Sequence, residues 1–205
     1  MTWELLSIFG TIAFAVSGAI IAMEEDYDIL GILVLALATS FGGGMVRNLL
    51  IGIPIENIWD QGLLFKLAII AVIIVFILPQ HWIFYWEKPG LFFDAIGLSA
   101  FAVQGALAAV EAGYSPIAVV VAATLTGCGG GIIRDILAGR KPLVFRTDIY
   151  AIWATLGGTV IALGWLNIEW EKYVLTALLV ILRLLSVRFK WHLPKRATLH
   201  PTMKS

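Results

Sequence analysis

The chain has 205 residues, 60% of them hydrophobic and 14% charged, with a mean hydropathy of +0.93 and a formal net charge of zero. A soluble domain carries roughly 25% charged residues, so the composition excludes one and indicates a polytopic membrane protein. Zero net charge gives no basic footprint for nucleic acid. Three histidines and the single Cys128 exclude an all-protein structural zinc site and an internal disulfide.

A membrane-spanning helix needs about 20 mostly apolar residues. Seven segments qualify: 4–23, 29–51, 62–79, 91–110, 116–138, 148–166 and 171–189. The opening "MTWELLSIFG" has no basic stretch before its apolar run and reads as a first span rather than a cleaved signal peptide. Short polar breaks separate the spans, and one carries Trp82, Tyr85 and Trp86, the aromatic types that favour the headgroup region. Orientation follows from Lys and Arg. Arg140, Lys141 and Arg146 follow the fifth span, and Arg188, Lys190, Lys195 and Arg196 follow the seventh. The opposite side has mainly Lys172, with Lys66 near a span end. The expectation is an N-terminus outside and a C-terminus in the cytoplasm, in a bacterial inner membrane. The basic "RFKWHLPKR" suits contact with anionic lipid headgroups.

An internal repeat organises the chain. At an offset of 87, residues 10–52 align with 97–139 without a gap, with 19 identities in 43 pairs. Gly42, Gly43 and Gly44 meet Gly129, Gly130 and Gly131; Arg47 meets Arg134; Tyr27 meets Tyr114; Thr39 meets Thr126. Each copy holds three spans. An odd number sends the second copy into the membrane from the opposite side, giving inverted repeats about an axis in the membrane plane. The expected organisation is one membrane domain over 1–205: repeat one over 3–79, repeat two over 91–166, an extra helix over 171–189 and a basic tail over 190–205.

The triple glycines sit inside the second and fifth spans. Each glycine costs about 1 kcal/mol against alanine in a helix. Two readings compete. Small residues let helices pack closely. Alternatively the helix is interrupted, and its freed carbonyls line a wet path near the midplane. Three in a row, twice, beside an arginine favour the interrupted, kinked helix, and both readings can hold, with one side of the break packed and the other wet. Arg47 and Arg134 then bracket the midplane from opposite sides, either bracing the kinks or gating the path. Asp135 is a counter-charge for Arg134, and its repeat mate is Asn48. Ser17 and Gln104, also repeat mates, are expected on the conduit wall with Thr39 and Thr126, or in helix-to-helix hydrogen bonds. Asp94 is expected at a mouth or favouring a helix N-terminus. No nucleophile, histidine and acid meet at membrane depth, so no enzyme is expected, and no cofactor or resident metal.

Two three-span copies, each with GGG-x-x-R-[DN]-x-L-x-G in its second span, plus a seventh span, resemble the trimeric intracellular cation (TRIC) channel family, and more closely its bacterial members. The resemblance covers about residues 3–190. It implies an all-α fold of seven transmembrane helices with the second and fifth kinked. It implies a homotrimer with one pore per protomer, lying between the kinked second and fifth helices and lined chiefly by them, and potassium or other monovalent-cation permeation. By motif it assigns Gly42, Gly43, Gly44, Gly129, Gly130 and Gly131 to the kinks, and Arg47 and Arg134 as the basic residues. Related bacterial sequences also carry the label glycine transporter, so a carrier of glycine or a similarly small solute is the alternative.

Overall fold

The structure is a computed structural model that describes residues 2–79, 89–145 and 149–193. Trp82, Tyr85, Trp86, Arg146, Lys195 and Arg196 lie outside the described residues, as does most of the basic tail. Among the described residues there are seven α-helices: α1 (Thr2–Glu24), α2 (Ile29–Leu50), α3 (Gly62–Ile77), α4 (Pro89–Glu111), α5 (Pro116–Leu137), α6 (Ala151–Ala162) and α7 (Glu169–Arg188). Single 3-10 turns (Ile55–Ile58 and Leu143–Phe145) follow α2 and α5.

Local chemistry sets the boundaries. Asp28 caps α2 by accepting from the Gly31 amide at 2.7 Å, which satisfies one orphan donor of the first turn. Pro116 opens α5 at a first-turn position, where its missing N–H costs nothing. Gly52 and Gly139, repeat mates, follow α2 and α5 with φ of 68° and 69°, the left-handed geometry that ends helices. Gly164, at φ 68°, stops α6 well short of the expected 166. Glu171 closes the start of α7 by accepting from the Asn167 and Ile168 amides at 2.7 and 2.9 Å.

Helices α1, α2, α4 and α5 are long and apolar enough to cross a membrane. The apolar α3 and α6 are shorter, and α7 carries Arg183 within its length. Large apolar side chains point outward as well as inward. On α7, Leu175 and Leu179 are buried while Val174, Leu178, Ile181 and Leu185 are exposed. An apolar exterior of this kind is what lipid solvates.

The two repeats form two three-helix bundles, α1–α2–α3 and α4–α5–α6, joined through α1 against α4 and α2 against α5. α7 packs on α4 and α6. The contacts across the joint are reciprocal. Phe14 and Phe101, repeat mates, meet with ring centroids 5.3 Å apart. Gly10 faces Phe101, and its mate Gly97 faces Phe14. Tyr27 donates to the Leu137 carbonyl at 2.8 Å, and its mate Tyr114 donates to the Ile51 carbonyl at 3.1 Å. When residue i of one copy touches j of the other, and j of the first touches i of the second, a two-fold axis relates the copies. Three helices per copy put that axis in the membrane plane.

Candidate functional site: two unequal polar clusters

The centre of the joint is the crossing of α2 and α5 at their glycines. A Cβ on Gly43 would run into the Thr126 carbonyl oxygen, and one on its mate Gly130 into the Thr39 carbonyl oxygen. A Cβ on Gly129 would stand 3.0 Å from the Gly43 Cα. The backbones therefore meet directly, which only glycine permits. This corrects one expectation. Neither helix is interrupted: α2 and α5 stay helical through residues 42–44 and 129–131. The glycines admit a neighbouring backbone, the small-residue packing of membrane helices, and any bend is absorbed within the helical ladder.

The outer glycines of the two motifs face different surroundings. Gly44 has only the tip of Arg47 near it, at 3.9 Å, whereas a Cβ on its mate Gly131 would meet the Tyr150 hydroxyl and lie 3.3 Å from Asp94 Oδ1. Gly42 packs on Ile133, and Gly127 approaches the Leu98 carbonyl of α4.

On the Gly44 side is a cavity of about 570 Å³, inside the first bundle and closed on one wall by α4. Its polar lining includes Arg47, Asn48, Ser7, Gln104, Glu4 and Asp60. Arg47 donates from Nε and Nη2 to Asn48 Oδ1 at 3.0 and 2.8 Å. Gln104 donates to Ser7 Oγ. The cavity thus holds one guanidinium and two carboxylates with neutral amides and the hydroxyls of Ser7, Thr11 and Ser40.

On the Gly131 side the same positions are sealed. Arg134 is 1% exposed. Its Nε and Nη2 donate to Asp135 Oδ1 at 2.9 and 2.8 Å, and its Nη1 donates to Asp94 Oδ1 and to Ser17 Oγ, each at 2.7 Å. Ser17 donates onward to the Gly90 carbonyl at 2.9 Å. Tyr150 donates to Asp94 Oδ1 at 3.1 Å, and Asp135 Oδ2 accepts from the Leu143 amide at 2.9 Å. Charge-assisted bonds of this length are about twice as strong as neutral ones. The repeat explains the inequality. Asp94 stands where the first copy has Ser7, Asp135 where it has Asn48 and Tyr150 where it has Leu63, while Ser17 stands where the second copy has Gln104. One copy sets its arginine beside Asn48 on the wall of an open cavity; the other encloses it between two carboxylates.

Thus Ser17 and Gln104 fall one in each cluster. Thr39 and Thr126 fall in neither. Their hydroxyls bond back to the Leu35 and Ala122 carbonyls, each at 2.6 Å, and the side chains pack against Gly18 and Gly105. Asp94 is not at a mouth but fully buried in α4, where Arg134 holds it. Tyr150 and Arg183 escaped the sequence reading. Arg183 could have been found from its stripe, because Leu175, Leu179, Arg183 and Ser186 share one helical face and all are buried. Tyr150 left no such signal. At the edge of the sealed cluster, Arg140 donates to Glu24 at 2.8 Å and to Glu25. Partial burial works to lower the Arg140 pKa, and the two glutamates outweigh it and hold the guanidinium above its ordinary value.

The family model described as glycine transporter matches residues 4–80 and again 91–166, two stretches in the register of the repeat. The UPF0126 membrane protein YvgT of Bacillus subtilis is 57% identical over 96% of this chain and 98% of its own. The UPF0126 inner membrane protein YadS of Escherichia coli is 33% identical over 92% of each chain. Among solved structures, a prokaryotic TRIC channel crystallised in 0.5 M KCl superposes with a TM-score of 0.83 at 34% identity, covering 93% of this chain and 98% of that one. The TRIC channel orthologue from Rhodobacter sphaeroides superposes with a TM-score of 0.78 at 30% identity, covering 92% and 98%. With the duplicated glycine–arginine motif and the two-fold bundle pair in place, the chain belongs to the UPF0126 family of membrane proteins, in the bacterial TRIC-like family.

Proposed function

We propose that the protein is a potassium-permeable cation channel, a homotrimer of the bacterial inner membrane with one conduit in each protomer. The observation that carries this reading is the inequality of the two clusters across one glycine crossing. An open polar cavity reaches Arg47 from the end where α1 begins, and the Arg134 cluster closes the equivalent position at the other end. A conduit with one end open and the other sealed by a detachable ion network is a channel in a closed state. Arg134 is the barrier: its guanidinium fills the space a hydrated cation would cross, among oxygens that would suit one. Asp135, Asp94 and Ser17 hold it there, while Arg47 with Asn48 tunes the field in the open vestibule. The similarity to solved TRIC cation channels supports both the transport class and the trimer. The end bearing Arg140, Lys141, Arg188 and Lys190 is cytoplasmic on this reading, so the open cavity faces outward. Purified protein in a planar bilayer under a potassium gradient tests it; absence of single-channel current would refute it.

A second reading has its own support. The cavity holds a guanidinium beside carboxylates, a pairing that suits the carboxylate and ammonium of glycine, and the matching family model is described as glycine transporter. That reading expects saturable glycine uptake into proteoliposomes, without unitary currents.

A further inference from the structure

The seventh helix belongs to neither repeat, yet it buries a charge. Arg183 is fully enclosed, and none of its three guanidinium nitrogens has a hydrogen-bond partner. Its Cζ lies 4.7 Å from the centroid of the Tyr150 ring. That cation–π contact is favourable when desolvated, but it leaves every N–H donor unused. Buried polar groups in native proteins are almost always paired, and an exception calls for a specific reason.

The complementary orphan lies at the hydroxyl end of the same tyrosine. The Tyr150 hydroxyl donates to Asp94 Oδ1, which Arg134 also holds. The other oxygen of that carboxylate, Asp94 Oδ2, is buried and has no partner. A buried cation with unused donors and a buried anion with an unused acceptor therefore touch the same tyrosine side chain. The region is neutral as a whole, because Arg134 and Arg183 balance Asp94 and Asp135. Withdrawal of Arg134 would strand Asp94 as an isolated buried charge, a heavily penalised state, unless a second cation took it.

We infer that Arg183 is the alternate partner of Asp94: when Arg134 leaves to open the conduit, Tyr150 swings aside and the Asp94 carboxylate passes to Arg183. The inference rests on the reading of the Arg134 cluster as the closed barrier. Arg183 is a positioning residue, since it acts on the conduit through Asp94. In the closed state it is held in reserve against an aromatic face. In the open state it forms a charge-assisted pair. Its loss therefore raises the energy of the open state more than that of the closed state.

The test compares wild type with Arg183→Met, Arg183→Lys and Arg134→Gln in planar bilayers under a potassium gradient, with thermal stability of the trimer read in detergent. Arg183→Met is expected to lower open probability at least tenfold, because the open state loses the cation that receives Asp94. Arg183→Lys keeps a charge but not the fork, so its open probability falls threefold or more yet stays above that of Arg183→Met. In the Asp94→Asn background Arg183→Met has no further effect, because the acceptor charge is gone. A merely structural arginine gives the opposite pattern: lower stability with open probability unchanged, which overturns the exchange. If Arg183→Met does not assemble, Arg183→Lys decides: a threefold drop supports the exchange and an unchanged value overturns it. If Arg134→Gln alters the current while the Arg183 variants do not, the barrier stands and the exchange falls. If wild type conducts and neither position matters, or if no protein conducts, both fall.

Discussion

The crossing of α2 and α5 makes a prediction whose size can be worked from contacts. In Gly43→Ala the new methyl group meets the Thr126 carbonyl oxygen, and in Gly130→Ala it meets the Thr39 carbonyl oxygen. Both obstacles are helix backbone, which has no rotamer to change. Overpacking costs about 1–3 kcal/mol, and a backbone obstacle puts these sites near the upper end. Replacing glycine returns about 1 kcal/mol of helix propensity, for a net loss of about 2 kcal/mol at either site. At about 2–4 °C per kcal/mol for a chain of this size, each variant should melt about 4–8 °C below wild type. Gly44→Ala is the internal control: its methyl has only the Arg47 tip at 3.9 Å, so it keeps the propensity gain and melts level with or slightly above wild type. The assay is the temperature at which the size-exclusion peak of the detergent-solubilised protein is lost. The double variant Gly43→Ala/Gly130→Ala should lose less than the sum, because one displacement of the helices relieves both clashes. If Gly43→Ala melts as high as Gly44→Ala, the backbones do not touch, and the glycines need another explanation.

Three further predictions concern the clusters. Asp135→Asn makes the sealed copy resemble the open one, where Asn48 serves Arg47. It removes a carboxylate from a buried pair worth about 1.5–3 kcal/mol per charged hydrogen bond, so open probability in bilayers should rise by about tenfold or more. Arg140→Gln removes the partly exposed bridges to Glu24 and Glu25; such pairs contribute about 1 kcal/mol or less each, so melting should fall by no more than about 8 °C, and the difference should shrink in about 1 M salt. Met45→Cys, on the cavity wall, should be labelled by a membrane-impermeant maleimide, whereas the native Cys128, 2% exposed, should stay unlabelled in the folded protein; equal labelling at both would show that the cavity is not the accessible side.

The sequence by itself determined most of the architecture. Hydropathy placed the helices, since spans must be long and apolar wherever lipid is the solvent, and helix starts and stops followed residues such as Asp28, Pro116, Gly52 and Gly139. The offset of 87 carries over into the contacts across the joint, because a two-fold repeat forces reciprocity: Tyr27 and Tyr114, read only as matching letters, are matching hydrogen-bond donors to opposite bundles. Asn48 against Asp135 already marked where the copies differ.

What sequence could not decide was what each glycine faces. A GGG reads the same whether it opens a helix or admits a neighbour, because both need a missing side chain; only the approach of the Thr39 and Thr126 carbonyls settles it for packing. Likewise Asp94, Tyr150 and Arg183 are remote from one another along the chain and carry no shared motif. Their meeting depends on how α4, α6 and α7 pack around Arg134. Local pattern fixes helices because their hydrogen bonds are local, whereas a buried charge network is assembled from distant residues and is decided only by the tertiary fold.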